Sequence, residues 1–234
     1  MSTVKGTGKR TVASIMRLAA WLKRSRRVVI DAEPLKVNLG SGLSVAEGWV
    51  NVDASLNALI STWPRSFLRQ AYRFTDVKRW YSRDRFVEIL KGNTFVHHHL
   101  EYGVPFGNDA VDYLYCSHML EHLFLEDATF LLADMHRVLK RGGRVRLAVP
   151  NLEYAVGLYQ AGHKQKALGY FFVSRQSERF ERHQYMYDFD LLKSLLLSVN
   201  FHDIERCAFQ TGKVPDIEKL DNRPGETLFV EATK

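Results

Sequence analysis

Asn38-Leu39-Gly40-Ser41-Gly42, followed by Gly48-Trp49-Val50-Asn51-Val52-Asp53, is the stretch whose reading decides the fold. Leu35 to Leu39 is a short apolar-rich run that predicts a buried strand, and it enters a Gly-Ser-Gly turn directly. Glycine tolerates positive φ and carries no side chain, so a ligand can approach the backbone there. The second run, Trp49 to Val52, ends on Asp53. In open α/β sheets ligands bind beyond the carboxyl ends of the strands, where an acid can accept ribose hydroxyls. The two features together predict a nucleoside-bearing cofactor. A dinucleotide fits poorly, because its fingerprint needs a third glycine where Val45 stands. The gap from Gly40 to Asp53 is also short for a loop and a full helix, so a cofactor without a pyrophosphate fits better.

Working outward, Thr94-Phe95-Val96 predicts a third strand and Val111 to Cys116 a fourth, which leads into Ser117-His118-Met119-Leu120-Glu121-His122. Leu131, Met135, Val138 and Leu139 have helical spacing and predict a helix from about Glu126 to Lys140, stopped by Gly142-Gly143. Arg144 to Val149 reads as the fifth strand. Asp188 suits an N-cap for a helix through Val199, with Asn200 as its stop. Asp203 to Phe209 and Thr227 to Ala232 are the last strands. This alternation predicts an α/β fold with a parallel-type sheet and a hairpin at its end. Residues 55–93 and 151–187 read as helical cover segments, and the aromatics of the first (Trp63, Phe67, Tyr72, Phe74, Trp80, Tyr81, Phe86) as mostly core.

At 234 residues and 46% hydrophobic content the chain suits one domain with appendages. Two cysteines, Cys116 and Cys207, make no disulfide framework and point to a reducing compartment. No apolar run approaches a membrane span, and Arg17 interrupts the apolar N-terminal stretch, so no signal peptide is expected. Residues 1–36 hold nine Lys/Arg and two acids, and so carry the whole net charge of +7. We therefore divide the chain into a basic arm, residues 1–34, and a domain, residues 35–234. In the arm Val12, Ile15, Met16, Ala19 and Leu22 recur at helical spacing. Such a helix either packs on its own domain with a solvated basic end or meets an anionic membrane or nucleic acid. The expected location is cytoplasmic, with peripheral membrane contact through the arm as a variant.

These pieces together resemble the class I S-adenosylmethionine-dependent methyltransferases of the type 11 kind, most closely predicted members found with bacterial polysaccharide and small-molecule genes. Beyond the glycine turn and Gly48 to Asp53, the matching pieces are Val104-Pro105-Phe106, Ser117 to Leu123, Arg137 to Gly143, Val149 to Glu153, Tyr187-Asp188-Phe189, Asn200-Phe201 and Glu226 to Ala232. Their order and spacing, over residues 35–234, carry the resemblance. It implies a Rossmann-like seven-stranded sheet with an antiparallel last strand and helices on both faces. It also implies a glycine turn, with Asn38, Gly40, Ser41 and Gly42, around the methionine part and ribose. Asp53 then holds the ribose hydroxyls, Ser117 lines the cofactor, and His99 stands where an acid often meets the adenine.

Methyl transfer is a displacement at an activated sulfonium carbon, so the enzyme chiefly aligns a nucleophile. A base is needed only when the acceptor is a poor nucleophile such as a hydroxyl. His118 follows the fourth strand, where the methyl should point, and is either that base or a cofactor contact. The expected reaction is O-methylation of a small molecule or glycan precursor. Three alternatives compete. His118-Met119-Leu120-Glu121-His122 matches a zinc-peptidase pattern, which needs both histidines on one helix. We expect no metal at that pair. Nor do we expect one at His97, His98 and His99, whose side chains alternate in a strand. An RNA methyltransferase would use the basic arm, although Cys116-Ser117-His118-Met119 stands where an amino-directed base methyltransferase carries its Asn/Asp-Pro-Pro-aromatic tetrad. A non-catalytic member that binds cofactor or a partner is the third.

Overall fold

The computed structural model describes residues 21–172 and 182–234. Seven strands form one sheet: β1 Lys36–Leu39, β2 Trp49–Asp53, β3 Thr94–His97, β4 Val111–Ser117, β5 Leu139–Pro150, β6 His202–Cys207 and β7 Thr227–Thr233. Their order is β3-β2-β1-β4-β5-β7-β6. The first five in that row pair in parallel, and β7 runs antiparallel to both β5 and β6. The hairpin thus forms as expected. The order reverses between β1 and β4, and such a switch point opens a crevice at the carboxyl ends of the strands.

The helices are α1 Leu56–Ile60, α2 Arg65–Ala71, α3 Arg83–Gly92, α4 Leu125–Val138, α5 Leu152–Gln160, α6 Lys164–Leu168, α7 Phe189–Ser198 and α8 Ile217–Leu220. The central strands turn one continuous apolar face to the main core, while the opposite face carries the buried polar groups Asn38, Asn51 and Arg146 beside Trp49 and Tyr115. Val37, Leu39, Val52, Leu114 and Leu147 are all fully buried. On α4, Ala128, Leu131, Leu132, Met135 and Val138 recur at helical spacing and pack into the same core. Asp188 caps α7 by accepting from the Leu191 N–H at 2.8 Å, and Asn200, at φ +71°, ends the helical course.

Three expectations are corrected. Gly142-Gly143 does not stop α4. The helix ends at Val138, Leu139 already pairs with Val111, and Gly142, at φ +77°, bends β5 while its N–H donates to the Lys234 carbonyl. Strand pairing, not glycine, sets that boundary. The sixth strand ends at Cys207, before Phe209. The aromatics of residues 55–93 are not mostly core. Phe86 is buried in a small cluster with Ile60, Leu68, Val87 and Leu90, while Trp63, Phe67, Phe74 and Trp80 are exposed. The short helices α1 and α2 each bury too little face to cover them.

The described end of the arm is tied to the domain. Val28 donates its N–H to the Pro105 carbonyl at 2.7 Å, Arg27 reaches the Val104 carbonyl at 3.0 Å, and Val28 and Ile30 pack on the core. Val12, Ile15, Met16 and Ala19 of the expected amphipathic helix lie outside the described residues. No helix among the described residues is long and apolar enough to cross a membrane.

Candidate active site

A pocket with a free volume of about 100 Å³ lies at the switch point, lined by Asn38, Gly40, Ser41 and Ser44 on the β1 side and Tyr115, Ser117 and His118 on the β4 side, with Asn222 and Arg223 closing it. Gly40 and Gly42 take φ of +65° and +53°. A Cβ at Gly40 would stand 2.7 Å from the Met119 side chain, so only glycine fits between β1 and the segment after β4. A Cβ at Gly42 meets nothing within 4 Å, so that glycine leaves open space along the turn.

Asp53 holds the turn in place. Its carboxylate accepts from the Gly42 N–H at 2.8 Å and from the Ser55 N–H at 2.7 Å. Each carboxylate oxygen keeps a further acceptor site, because an ionised carboxylate has about four. Asn38, 2% exposed, donates to the Ser44 carbonyl at 2.8 Å and fixes the far side of the turn. Ser41 Oγ is buried and makes no hydrogen bond among the described residues. A polar atom left so beside a pocket is a partner for a ligand. The donor set therefore suits a cofactor with a ribose diol and an amino-acid end. Asn38, Gly40, Ser41, Gly42, Asp53 and Ser117 would hold it.

The expected residues separate into groups. Asn38, Gly40, Ser41, Ser117 and His118 line one pocket, and Asp53 abuts it through Gly42. His99 stands beyond β3, half-buried and outside the pocket lining, with Nδ1 3.6 Å from Glu101 Oε2. Its neighbours belong to the fold. Burial lowers the pKa of His97, and pushes that of His98 down to about 4. His98 Nε2 donates to the Gly103 carbonyl at 3.1 Å.

Arg223 and Asn222 were missed by the sequence reading. A buried ion pair positions their loop. Arg146, 0% exposed, meets Asp221 through two bonds of 2.6 and 2.9 Å and Glu231 at 2.9 Å. Tyr115 OH adds a bond of 2.9 Å to the Leu220 carbonyl, and burial raises its pKa above the usual phenol range. The available signal was an arginine in the middle of a strand, Arg146, which must find buried acids. Arg223 brings one positive charge to the pocket, suited to a carboxylate.

His118 has φ +49°, a backbone conformation uncommon outside glycine, which histidine, asparagine and aspartate take more often than other side chains. Its N–H donates to the Ala148 carbonyl at 2.8 Å. The turn aims the ring into the pocket. Nε2 lies 3.1 Å from Thr227 Oγ1, and Nδ1 lies 3.3 Å from Glu121 Oε1 and 3.4 Å from an Arg223 nitrogen. The zinc-peptidase geometry is absent. Leu120–His122 is a single 3₁₀ turn and His118 stands outside it, so the two histidines do not share a helix. Instead, Glu121 and His122 lie beside His183, with ligand atoms within 4.8 Å of one another. No sequence spacing links His183 to that pair.

Residues 69–147 match the family described as "Methyltransferase domain". The match runs from α2 into β5, so the glycine turn and Asp53 precede it. No curated protein matches the chain significantly. Among solved structures, the chain is similar to a possible exported protein of Bordetella parapertussis at 15% identity and a TM-score of 0.51, over 97% of this chain and 68% of that one. It is similar to a proposed O-methyltransferase of Nostoc punctiforme at 16% identity and a TM-score of 0.50, over 95% and 57%. An S-adenosylmethionine-dependent methyltransferase of Archaeoglobus fulgidus matches at 16% identity and a TM-score of 0.45, over 97% and 94%. At such identities the first two speak for the fold alone. The domain match over residues 69–147, carried on a sheet of this order behind a glycine turn and an acid-ended β2, supports an S-adenosylmethionine-dependent methyltransferase.

Proposed function

We propose that the enzyme methylates an oxygen of a small molecule or glycan precursor, with His118 as general base. The observation that carries this reading is the placement of His118, held in a left-handed turn at the end of β4 with its ring in the pocket that the glycine turn also lines. Bound S-adenosylmethionine supplies an electrophilic methyl whose leaving group is a neutral thioether. A hydroxyl acceptor must lose its proton as the new O–C bond forms, and His118 stands where that proton would go. Nδ1 stands between the Glu121 carboxylate and the Arg223 guanidinium, and Nε2 lies 3.1 Å from Thr227 Oγ1. Asp53 and the turn hold the ribose, and Arg223 faces the carboxylate end of the cofactor.

The test supplies methyl-labelled S-adenosylmethionine to hydroxyl-bearing sugars, sugar nucleotides and phenols, beside amine, thiol and RNA acceptors. Label on a hydroxyl, lost in His118→Ala while S-adenosylhomocysteine binds as before, is the expected result. Label only on amines or thiols, with His118→Ala fully active, overturns it.

One observation favours a second reading, RNA methylation. Phe74 and Trp80 are 86% and 73% exposed, and along the chain they and the exposed Trp63 and Phe67 are interleaved with Arg65, Arg69, Arg73, Lys78 and Arg79. Aromatic faces stack on bases while arginines meet phosphates. Label on RNA, lost when Phe74 and Trp80 are both replaced by serine, would establish this reading instead.

A further inference from the structure

Glu121 is 1% exposed, and neither of its oxygens makes a hydrogen bond among the described residues. A carboxylate taken out of water without partners is costly, and native structures rarely leave one so. Besides His118, whose Nδ1 lies 3.3 Å from Glu121 Oε1, two imidazoles stand beside it. His122 Nε2 is 3.9 Å from Glu121 Oε1, and His183 completes a group whose ligand atoms all lie within 4.8 Å of one another. Each imidazole is oriented by a backbone carbonyl. His122 Nδ1 donates to the Arg182 carbonyl at 3.2 Å, and His183 Nδ1 donates to the Tyr170 carbonyl at 2.7 Å. A carbonyl only accepts, so in the neutral rings the hydrogen sits on Nδ1 and Nε2 carries the lone pair. Gln184 donates its N–H to the Glu121 carbonyl at 2.7 Å, which fixes His183 against the 3₁₀ turn.

We propose that Glu121, His122 and His183 bind a divalent transition-metal ion of the zinc class. Two imidazoles and one carboxylate form the donor set of open zinc sites, which keep a coordination position for water or substrate. Imidazole donors select such ions over magnesium or calcium, which take oxygen sets. Backbone carbonyls that accept from Nδ1 are how metal-bound histidines are commonly oriented. Bonds of about 2.0–2.1 Å in a tetrahedron put ligand atoms about 3.3 Å apart, so an ion would draw this group in by roughly an ångström. The positive ion offsets the buried charge of Glu121. This is not the peptidase pattern of the sequence: His118 is turned to Thr227, and position 183 supplies the second imidazole. The open position takes an oxygen ligand, water or an acceptor group. Metal binding itself stands or falls independently of the His118 proposal.

The full chain, without an affinity tag and stripped by chelation, is titrated with Co²⁺ and Zn²⁺. Calorimetry should show one ion per chain, and Co²⁺ should give visible absorption bands of low coordination number. Outer-shell changes alone typically cost 10- to 100-fold in metal affinity. His183→Ala and Glu121→Gln, which remove direct ligands, should therefore weaken binding at least about 100-fold and abolish the bands. His202→Ala, at an exposed histidine, should change neither. S-adenosylhomocysteine affinity reports that each variant is folded; if His183→Ala fails that check, His183→Gln replaces it. No stoichiometric uptake by the wild-type chain, or unchanged uptake in a folded His183 variant, overturns the proposal. These readouts measure binding rather than turnover, so they separate its failure from failure of the His118 base.

Discussion

The two sides of the pocket satisfy their polar groups differently. On the cofactor side Asp53 accepts two backbone N–H groups, and Asn38 is spent on Ser44. In the loop behind Arg223, Asp221 is fully occupied by Arg146, Tyr115 and the Gln210 N–H. On the acceptor side, at the end of β4, Glu121 is as deeply buried as Asp221 yet has no hydrogen bond among the described residues, and His118 is held in a left-handed turn. The bonds of Asp53 and Asn38 hold the glycine turn before a ligand arrives, so its backbone is preorganised, while Ser41 Oγ is left for the ligand. The acceptor side leaves unmet capacity that incoming groups must fill. On the proposed reading the first side binds the cofactor and the second serves the chemistry.

The sharpest way to break this contrast is at His118. On the true acceptor, His118→Ala should lower kcat by about 100- to 10,000-fold, the usual worth of general-base assistance. Melting temperature and S-adenosylhomocysteine affinity should stay near wild type. A comparable loss of affinity would make His118 part of the cofactor side after all.

Next in size is Arg146→Met. It leaves Asp221 and Glu231 buried without their cation, and removing one partner of such a pair costs about 3–5 kcal/mol. Thermal unfolding should fall by roughly 6–20 °C. A variant as stable as wild type would show that the loop behind Arg223 is not held by these bonds.

Asp53→Ala tests the same side by affinity. Hydrogen bonds to a charged group are worth about 1.5–3 kcal/mol, so S-adenosylhomocysteine binding should weaken roughly 10- to 150-fold. Calorimetry on the folded variant decides it, and unchanged affinity removes Asp53 from the ribose. The smallest effect is expected at Gly42. Alanine there meets no neighbour but must hold φ +53°, at a cost of about 1–2 kcal/mol in chemical denaturation. A much larger loss would mean that the turn is closed rather than open.

The glycine turn and the acid that ends β2 were legible in the sequence because their parts are local. A strand, a glycine turn and an acid-ended second strand lie between Lys36 and Asp53, and hydrophobic periodicity places them. The boundary at Gly142-Gly143 was misread because pairing of Leu139 with Val111 outweighs a local stop signal. The exposed Trp63, Phe67, Phe74 and Trp80 were misread because composition does not say which face a short helix turns inward.

By itself, then, the sequence determined the α/β architecture, the methyltransferase resemblance and the residues of the glycine turn. Those depend on backbone propensities and on apolar spacing, which act over a few residues. Only the tertiary structure decided that Arg223 closes the pocket, that Arg146 anchors its loop, and that His183 stands against Glu121 and His122. These groupings join segments far apart in the chain. What brings them together is burial of the sheet and the need of buried charges for partners, and neither leaves a periodic trace in the order of residues.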